Sequence, residues 1–88
     1  MKDVIIEALV IEDLRKLSKD NPKLIKKFFE LIADIQNSPF TGIGKPEPLK
    51  YQLRGCWSRR ISEEHRLVYE ISNDGSIRIL SVHGHYDD

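Results

Sequence analysis

The chain predicts an α+β fold, with two N-terminal helices packed on one face of an antiparallel sheet. Three observations carry that prediction. Apolar residues recur at helical spacing through residues 9–36, whereas residues 49–84 alternate apolar and polar side chains. Between the two halves lies a loop holding Gly42, Gly44, Pro46 and Pro48. Eighty-eight residues make one domain, 1–88, with a single core.

The elements follow in order. Asp3-Val4-Ile5-Ile6-Glu7 is too short for a helix and reads as a strand. From 9 to 19, Val10, Ile11, Leu14 and Leu17 share helical spacing. Glu12 and Asp13 precede Arg15, Lys16 and Lys19, the order that suits a helix dipole. Asn21 is placed to cap a second helix, with Pro22 at its first position. That helix, 22–36, carries Leu24, Ile25, Phe28, Phe29, Ile32 and Ile35 as one stripe, which assigns both phenylalanines to the core. Strands are expected near 49–53, 57–62, 66–72 and 77–84. Asp74-Gly75 predicts a two-residue hairpin turn, Glu63-Glu64 another, and Arg54-Gly55 a third.

Composition narrows the function classes. Apolar residues are 40% and charged residues 32%, as in an ordinary soluble globular chain. No apolar run reaches membrane-spanning length, and the acidic residues near the N-terminus argue against a signal peptide. The single cysteine, Cys56, excludes an internal disulfide, fits a reducing cytoplasm and is assigned to packing. Fourteen basic residues balance fourteen acidic ones, so long-range steering toward nucleic acid is weak. Residues 41–70 are nevertheless locally basic, with six Lys or Arg against four Glu.

Strand parity gathers the reactive groups. A two-residue turn at Asp74-Gly75 sets Val68 opposite Ser81 and Arg66 opposite His83. Arg66, Val68, Glu70, Ser81, His83 and His85 then share a polar face, while Leu67, Tyr69, Ile71, Leu80 and Val82 face a core. The next turns add Arg59 and Lys50 to the polar face, with Leu49, Tyr51 and Leu53 on the core side and Glu47 in the loop just ahead. Strict parity also turns Trp57 and Ile61 outward and Arg60 inward. A bulge in that strand exchanges Arg59 for Arg60, so both stay candidates.

This is an inventory for cleaving RNA with no metal or cofactor. A base must take a proton from a ribose 2′-hydroxyl, cations must stabilise the phosphorane, and an acid must protonate the leaving 5′-oxygen. Glu47 is the carboxylate beside the basic cluster, and the imidazole of His85 titrates near neutrality. Arg66, aided by Lys50, offers donors to phosphate, and Tyr86 can stack on a base or donate to phosphate. Arg59, Arg60 and His83 are further RNA contacts on this reading. His65, at a turn after two glutamates, reads as a surface residue.

Three blocks occur in a characteristic order: Gly44-Lys45-Pro46-Glu47-Pro48-Leu49-Lys50, then Trp57-Ser58-Arg59-Arg60-Ile61-Ser62-Glu63-Glu64-His65-Arg66-Leu67-Val68-Tyr69, then His85-Tyr86. Over residues 20–86 they resemble the YoeB-type toxins of the RelE/ParE superfamily. The resemblance implies a RelE-like fold and a ribosome-dependent mRNA endoribonuclease of a type II toxin–antitoxin system. It also implies Glu47 as base, His85 as acid, Arg66 on the scissile phosphate and Tyr86 beside it. A partly disordered YefM-like antitoxin is the expected partner, with mRNA and the 70S ribosome as targets, no membrane, and a homodimer left open. The chain departs from the pattern by adding Asp87 and Asp88, whose carboxylates are expected to repel phosphates, and by lacking Trp and Tyr in its first twenty residues. Two other readings remain: a non-catalytic ParE-like toxin that binds a target such as gyrase, and a weakened member that regulates its operon with the antitoxin.

Overall fold

A computed structural model describes residues 2–83. Its elements are β1 (Val4–Ile6), α1 (Ala8–Asp20), α2 (Pro22–Asn37), β2 (Glu47–Pro48), β3 (Trp57–Arg60), β4 (Arg66–Ile71) and β5 (Ile77–His83). The sheet runs β1-β5-β4-β3-β2. The meander is antiparallel as expected, but β1 joins β5 in parallel, so the five-stranded sheet is mixed. The two helices between β1 and the meander supply the crossover that a parallel neighbour requires.

Both helices cover one face of the sheet. Val10 and Leu17 of α1 join Phe28, Leu31, Ile32 and Ile35 of α2 in a core closed by Leu67, Tyr69, Ile77, Ile79 and Val82. Phe29 departs from the expected stripe. It lies 58% exposed and meets Phe28 edge-to-face, while Leu31 is fully buried. At 100° per residue, position 29 falls outside the arc shared by 28, 31, 32 and 35. Asn21 precedes α2 as its cap residue, yet its side chain makes no capping bond; Pro22 starts the helix without an amide to satisfy.

The expected strand over 49–53 is absent. Only Glu47 and Pro48 pair with β3, after which a 3₁₀ turn over Tyr51–Leu53 folds the chain back. Tyr51 adopts φ 57, incompatible with extended backbone, and its side chain is exposed rather than in the core. Leu49 remains buried, with Cys56 and Val68, in a small second cluster on the sheet face opposite the helices. Cys56 is thus a packing residue. Its thiol is pushed up in pKa by burial and secondarily by the charge of Glu70, which disfavours the reactive thiolate.

Two turns are each one residue longer than predicted. The β4–β5 loop holds Asn73, Asp74 and Gly75 and closes by Ser72 N–H to Ser76 O, with Gly75 at φ 87. A bulge in β5 cancels the offset: Tyr69 pairs with Ile79 but Val68 pairs with Ser81. Arg66 therefore faces His83 as the simple two-residue count requires, and Leu80 becomes the surplus residue, packing with Val68 instead of in the main core. The β3–β4 loop has no compensating bulge. Its extra residue pairs Arg60 with Arg66 and Arg59 with Leu67. Every side chain of β3 is consequently on the other face from that given by strict parity, with Trp57 and Ile61 packed into the core.

Candidate active site

The slip in β3 decides which arginine belongs to the open face. Arg60, Arg66 and His83 stand in register across three adjacent strands, at the end of the sheet where β4 begins. Arg60 is exposed and Arg66 partly so. Like charges directly opposite one another on a sheet repel, so this pair favours an anion between or above them.

One anion is supplied by the chain itself. Glu47 pairs with Ser58, two residues before Arg60, and its carboxylate lies 3.7 Å from the Arg66 guanidinium. Glu47 is 59% exposed at the side chain and Arg66 28%, so the pair sits at the surface, open to competition. Pro46 and Pro48 flank Glu47 and hold the backbone φ on either side, which limits where the carboxylate can go. Lys50 is exposed just beyond β2, at the start of the 3₁₀ turn. His65 is half-buried at the preceding loop, where Ser62 Oγ lies 3.2 Å from its Nδ1. His85 and Tyr86, the expected acid and its neighbour, lie outside the described residues, as do Asp87 and Asp88. Among the described residues, no cluster of His, Cys, Asp and Glu is arranged to hold a metal ion.

Arg59 is not on this face. It is fully buried under the helices, which corrects its expected place among the RNA contacts. All five of its N–H groups are used. Nε donates to the Tyr69 hydroxyl at 3.2 Å; one terminal nitrogen donates to Asp34 Oδ2 at 2.5 Å and Ile43 O at 3.1 Å; the other donates to Ser38 O at 2.6 Å and Thr41 O at 2.8 Å. Tyr69 passes its own proton on to Pro39 O at 2.7 Å, and Asp34 also accepts from Ile43 N–H. Residues 38–43 are thus wrapped around one guanidinium. Gly42 and Gly44 make the wrapping possible: at φ 121 and 78, a Cβ would lie 2.0 Å from Asp34 Oδ2 and 2.7 Å from Leu31 respectively.

This cluster escaped the sequence reading. A tyrosine in a core stripe needs a partner for its hydroxyl, and an acid inside an amphipathic helix near a glycine loop is a candidate for one. Those were the available signals, but neither reveals a contact spanning 25 residues.

The buried charge has a measurable consequence. The Arg59 hydrogen bond holds the Asp34 carboxyl below the usual carboxylate range, against desolvation and with help from the Ile43 amide. A depressed folded-state pKa contributes stability that is present above the unfolded value of about 3.9 and lost as pH falls through the folded value. The urea midpoint is therefore expected to fall steeply below pH 4. Asp34→Asn should lower the midpoint at pH 7, and the gap to the parent protein should narrow by pH 3. A constant gap between those pH values would show that Asp34 is not the group responsible.

Two helices on one face of this sheet, with a carboxylate and paired arginines on the other, define a RelE-like toxin fold. The YoeB/ParE toxin from Agrobacterium tumefaciens superposes with a TM-score of 0.89 at 35% identity, over 98% of this chain and all of that one. The YoeB-YefM complex from Staphylococcus aureus aligns with a TM-score of 0.84 at 39% identity, over 98% and 99%; YoeB from that organism is also solved as a dimer. Toxin YoeB of Escherichia coli K12 is 48% identical over 75 residues, 85% of this chain and 88% of its own length. A model of the YoeB-like toxins of bacterial type II toxin–antitoxin systems matches residues 7–86, and this chain belongs to that family.

Proposed function

We propose that this toxin is an endoribonuclease that cuts mRNA on the ribosome without a metal ion. The observation that carries the reading is the Glu47–Arg66 pair beside Arg60 on an open sheet face. Glu47 takes the proton from a ribose 2′-hydroxyl, and the freed oxygen attacks the adjacent phosphorus. Arg66, with Arg60 and Lys50, neutralises the charge that builds on the phosphorane. His85 protonates the departing 5′-oxygen, Tyr86 orients the phosphate or a base, and His83 is a further contact. The products are a 2′,3′-cyclic phosphate and a 5′-hydroxyl.

A phosphate arriving at Arg66 competes with Glu47 for the guanidinium and so frees the carboxylate beside the ribose it must deprotonate. The charge balance of the chain supplies little attraction to free RNA, and the ribosome supplies the rest by presenting the message in a fixed geometry. On this reading the toxin works in the cytoplasm. A YefM-like antitoxin, disordered in part when free, covers the basic face, in keeping with the complex formed by the staphylococcal relative. Self-association to a dimer follows by the same analogy.

The test is cleavage of a short mRNA on purified 70S ribosomes. Cuts ending in a 2′,3′-cyclic phosphate, and blocked by a single 2′-deoxynucleotide at the cut site, are expected. Fragments ending in a 3′-hydroxyl would overturn the mechanism. An intact message together with inhibited gyrase would favour the ParE-like alternative.

A further inference from the structure

Glu47 is useful as a base only if it stays where the ribose will be, yet it is carried on a two-residue edge strand after a glycine-rich loop. Nothing within β2 itself explains such constancy, because two residues of pairing are a weak hold. The hold comes from the other side of the sheet. Ile43 is gripped at both of its backbone groups, the carbonyl by Arg59 and the amide by Asp34. Gly44 packs against Leu31 and the Arg59 side chain, and its carbonyl accepts from Arg60 N–H at 2.7 Å. Only Lys45, at φ 52, and Pro46 then separate this anchored point from Glu47.

The geometry points to Asp34, Arg59 and Tyr69 as positioning residues that hold the Glu47 carboxylate against Arg66 through the 38–44 loop. The placement in β3 makes this economical. Ser58 pairs with Glu47, Arg60 pairs with Arg66, and Arg59 lies between them with its side chain through the sheet. One residue therefore ties the loop to the strand that registers both reactive partners. Asp34 completes the arrangement as the counter-ion to a fully buried guanidinium; without it the charge would be uncompensated and the loop would lose the acceptor that fixes Ile43.

The functional part of this inference rests on the ribonuclease reading, and the experiment separates the two. Asp34→Ala removes the acceptor, and Tyr69→Phe removes only the hydroxyl between Arg59 and Pro39 while leaving the ring in the core. Asp34→Asn keeps an oxygen for Arg59 and Ile43 and serves as the rescue. Amide exchange is followed at Ile43 and Arg60, whose N–H groups bond Asp34 and Gly44, and single-turnover cleavage is followed on ribosomes. Exchange at both amides is expected to speed up in Asp34→Ala, and the single-turnover rate to fall about 10²-fold with ribosome affinity unchanged. Tyr69→Phe should give a smaller loss of the same kind, and Asp34→Asn should recover most of the rate. Should Asp34→Ala not fold, Tyr69→Phe alone decides the matter. Unchanged exchange in the folded variants overturns the positioning role whether or not the protein cuts RNA. Wild-type rates in both folded variants do the same. Faster exchange alongside a parent protein that cuts nothing would uphold the loop anchor and overturn the ribonuclease reading instead.

Discussion

Arg59→Ala is expected to cost about 3–5 kcal/mol, the usual effect of removing one partner from a buried ion pair. The substitution leaves Asp34, the Tyr69 hydroxyl and the carbonyls of Ser38, Thr41 and Ile43 without the donor that satisfies them. A domain of this size has roughly 4–13 kcal/mol of stability in all, so much of the population should be unfolded. Arg59→Lys should recover only part of the loss, since an ammonium has three donors for five acceptors and cannot form the planar fork. Arg60→Ala, one residue along on the open face, should stay within about 0.5 kcal/mol. Urea unfolding of the three variants measures this directly. A midpoint for Arg59→Ala close to that of Arg60→Ala would show that the guanidinium does not hold the loop.

The second large effect is on chemistry. Glu47→Gln is expected to reduce cleavage of ribosome-bound message by about 10² to 10⁴, the usual contribution of a positioned general base. Arg66→Ala should reduce it comparably by removing the donor to the phosphorane. Both variants should keep the parent melting temperature almost unchanged, because an exposed ion pair contributes about 0–1 kcal/mol. Message integrity by primer extension and thermal unfolding by circular dichroism report the two properties separately. Parent-like cutting by Glu47→Gln would remove that residue from the role of base.

The contrast between the neighbouring arginines shows what the sequence could and could not disclose. Helix positions came from periodicity, and the Arg66–His83 and Val68–Ser81 pairings came from counting outward from Asp74-Gly75. That count succeeded although the turn is longer than assumed, because the bulge at Leu80 restores the frame. The β3 count failed because a single added loop residue inverts a whole strand, and no local signal distinguishes a two-residue Glu63-Glu64 turn from the longer loop. Tyr51 was assigned to the core by the same alternation and is exposed because Pro48 ends the pairing and the chain turns at once. Glu47 and Arg66 were legible as chemistry. Their closeness needed the register, and the anchor beneath them needed contacts between residues 34, 59 and 69, which no window of sequence contains.

The bulge also bears on how such a chain can change in length. Leu80 has no partner in β4, so its deletion would leave Ile79 beside Tyr69 and Ser81 beside Val68, with Arg66 still facing His83. The loss would fall on the small cluster with Leu49, Cys56 and Val68 rather than on the main core. Removing one residue from the Asn73–Gly75 loop would likewise leave a two-residue connection of the kind hairpins favour. The β4–β5 hairpin can therefore absorb a one-residue deletion at either of two places without moving the row of Arg60, Arg66 and His83. The β3–β4 connection, Ser62–Glu64 between the paired Ile61 and His65, could shorten by one residue in the same way, but β3 has no bulge behind it. A change that slipped the Ile61–His65 pairing by one residue would go uncorrected, returning Arg59 to the open face and driving Arg60 into the core. One-residue changes in length should accordingly be tolerated at two places in the β4–β5 hairpin, the loop and the bulge, but only at the loop in the β3–β4 hairpin.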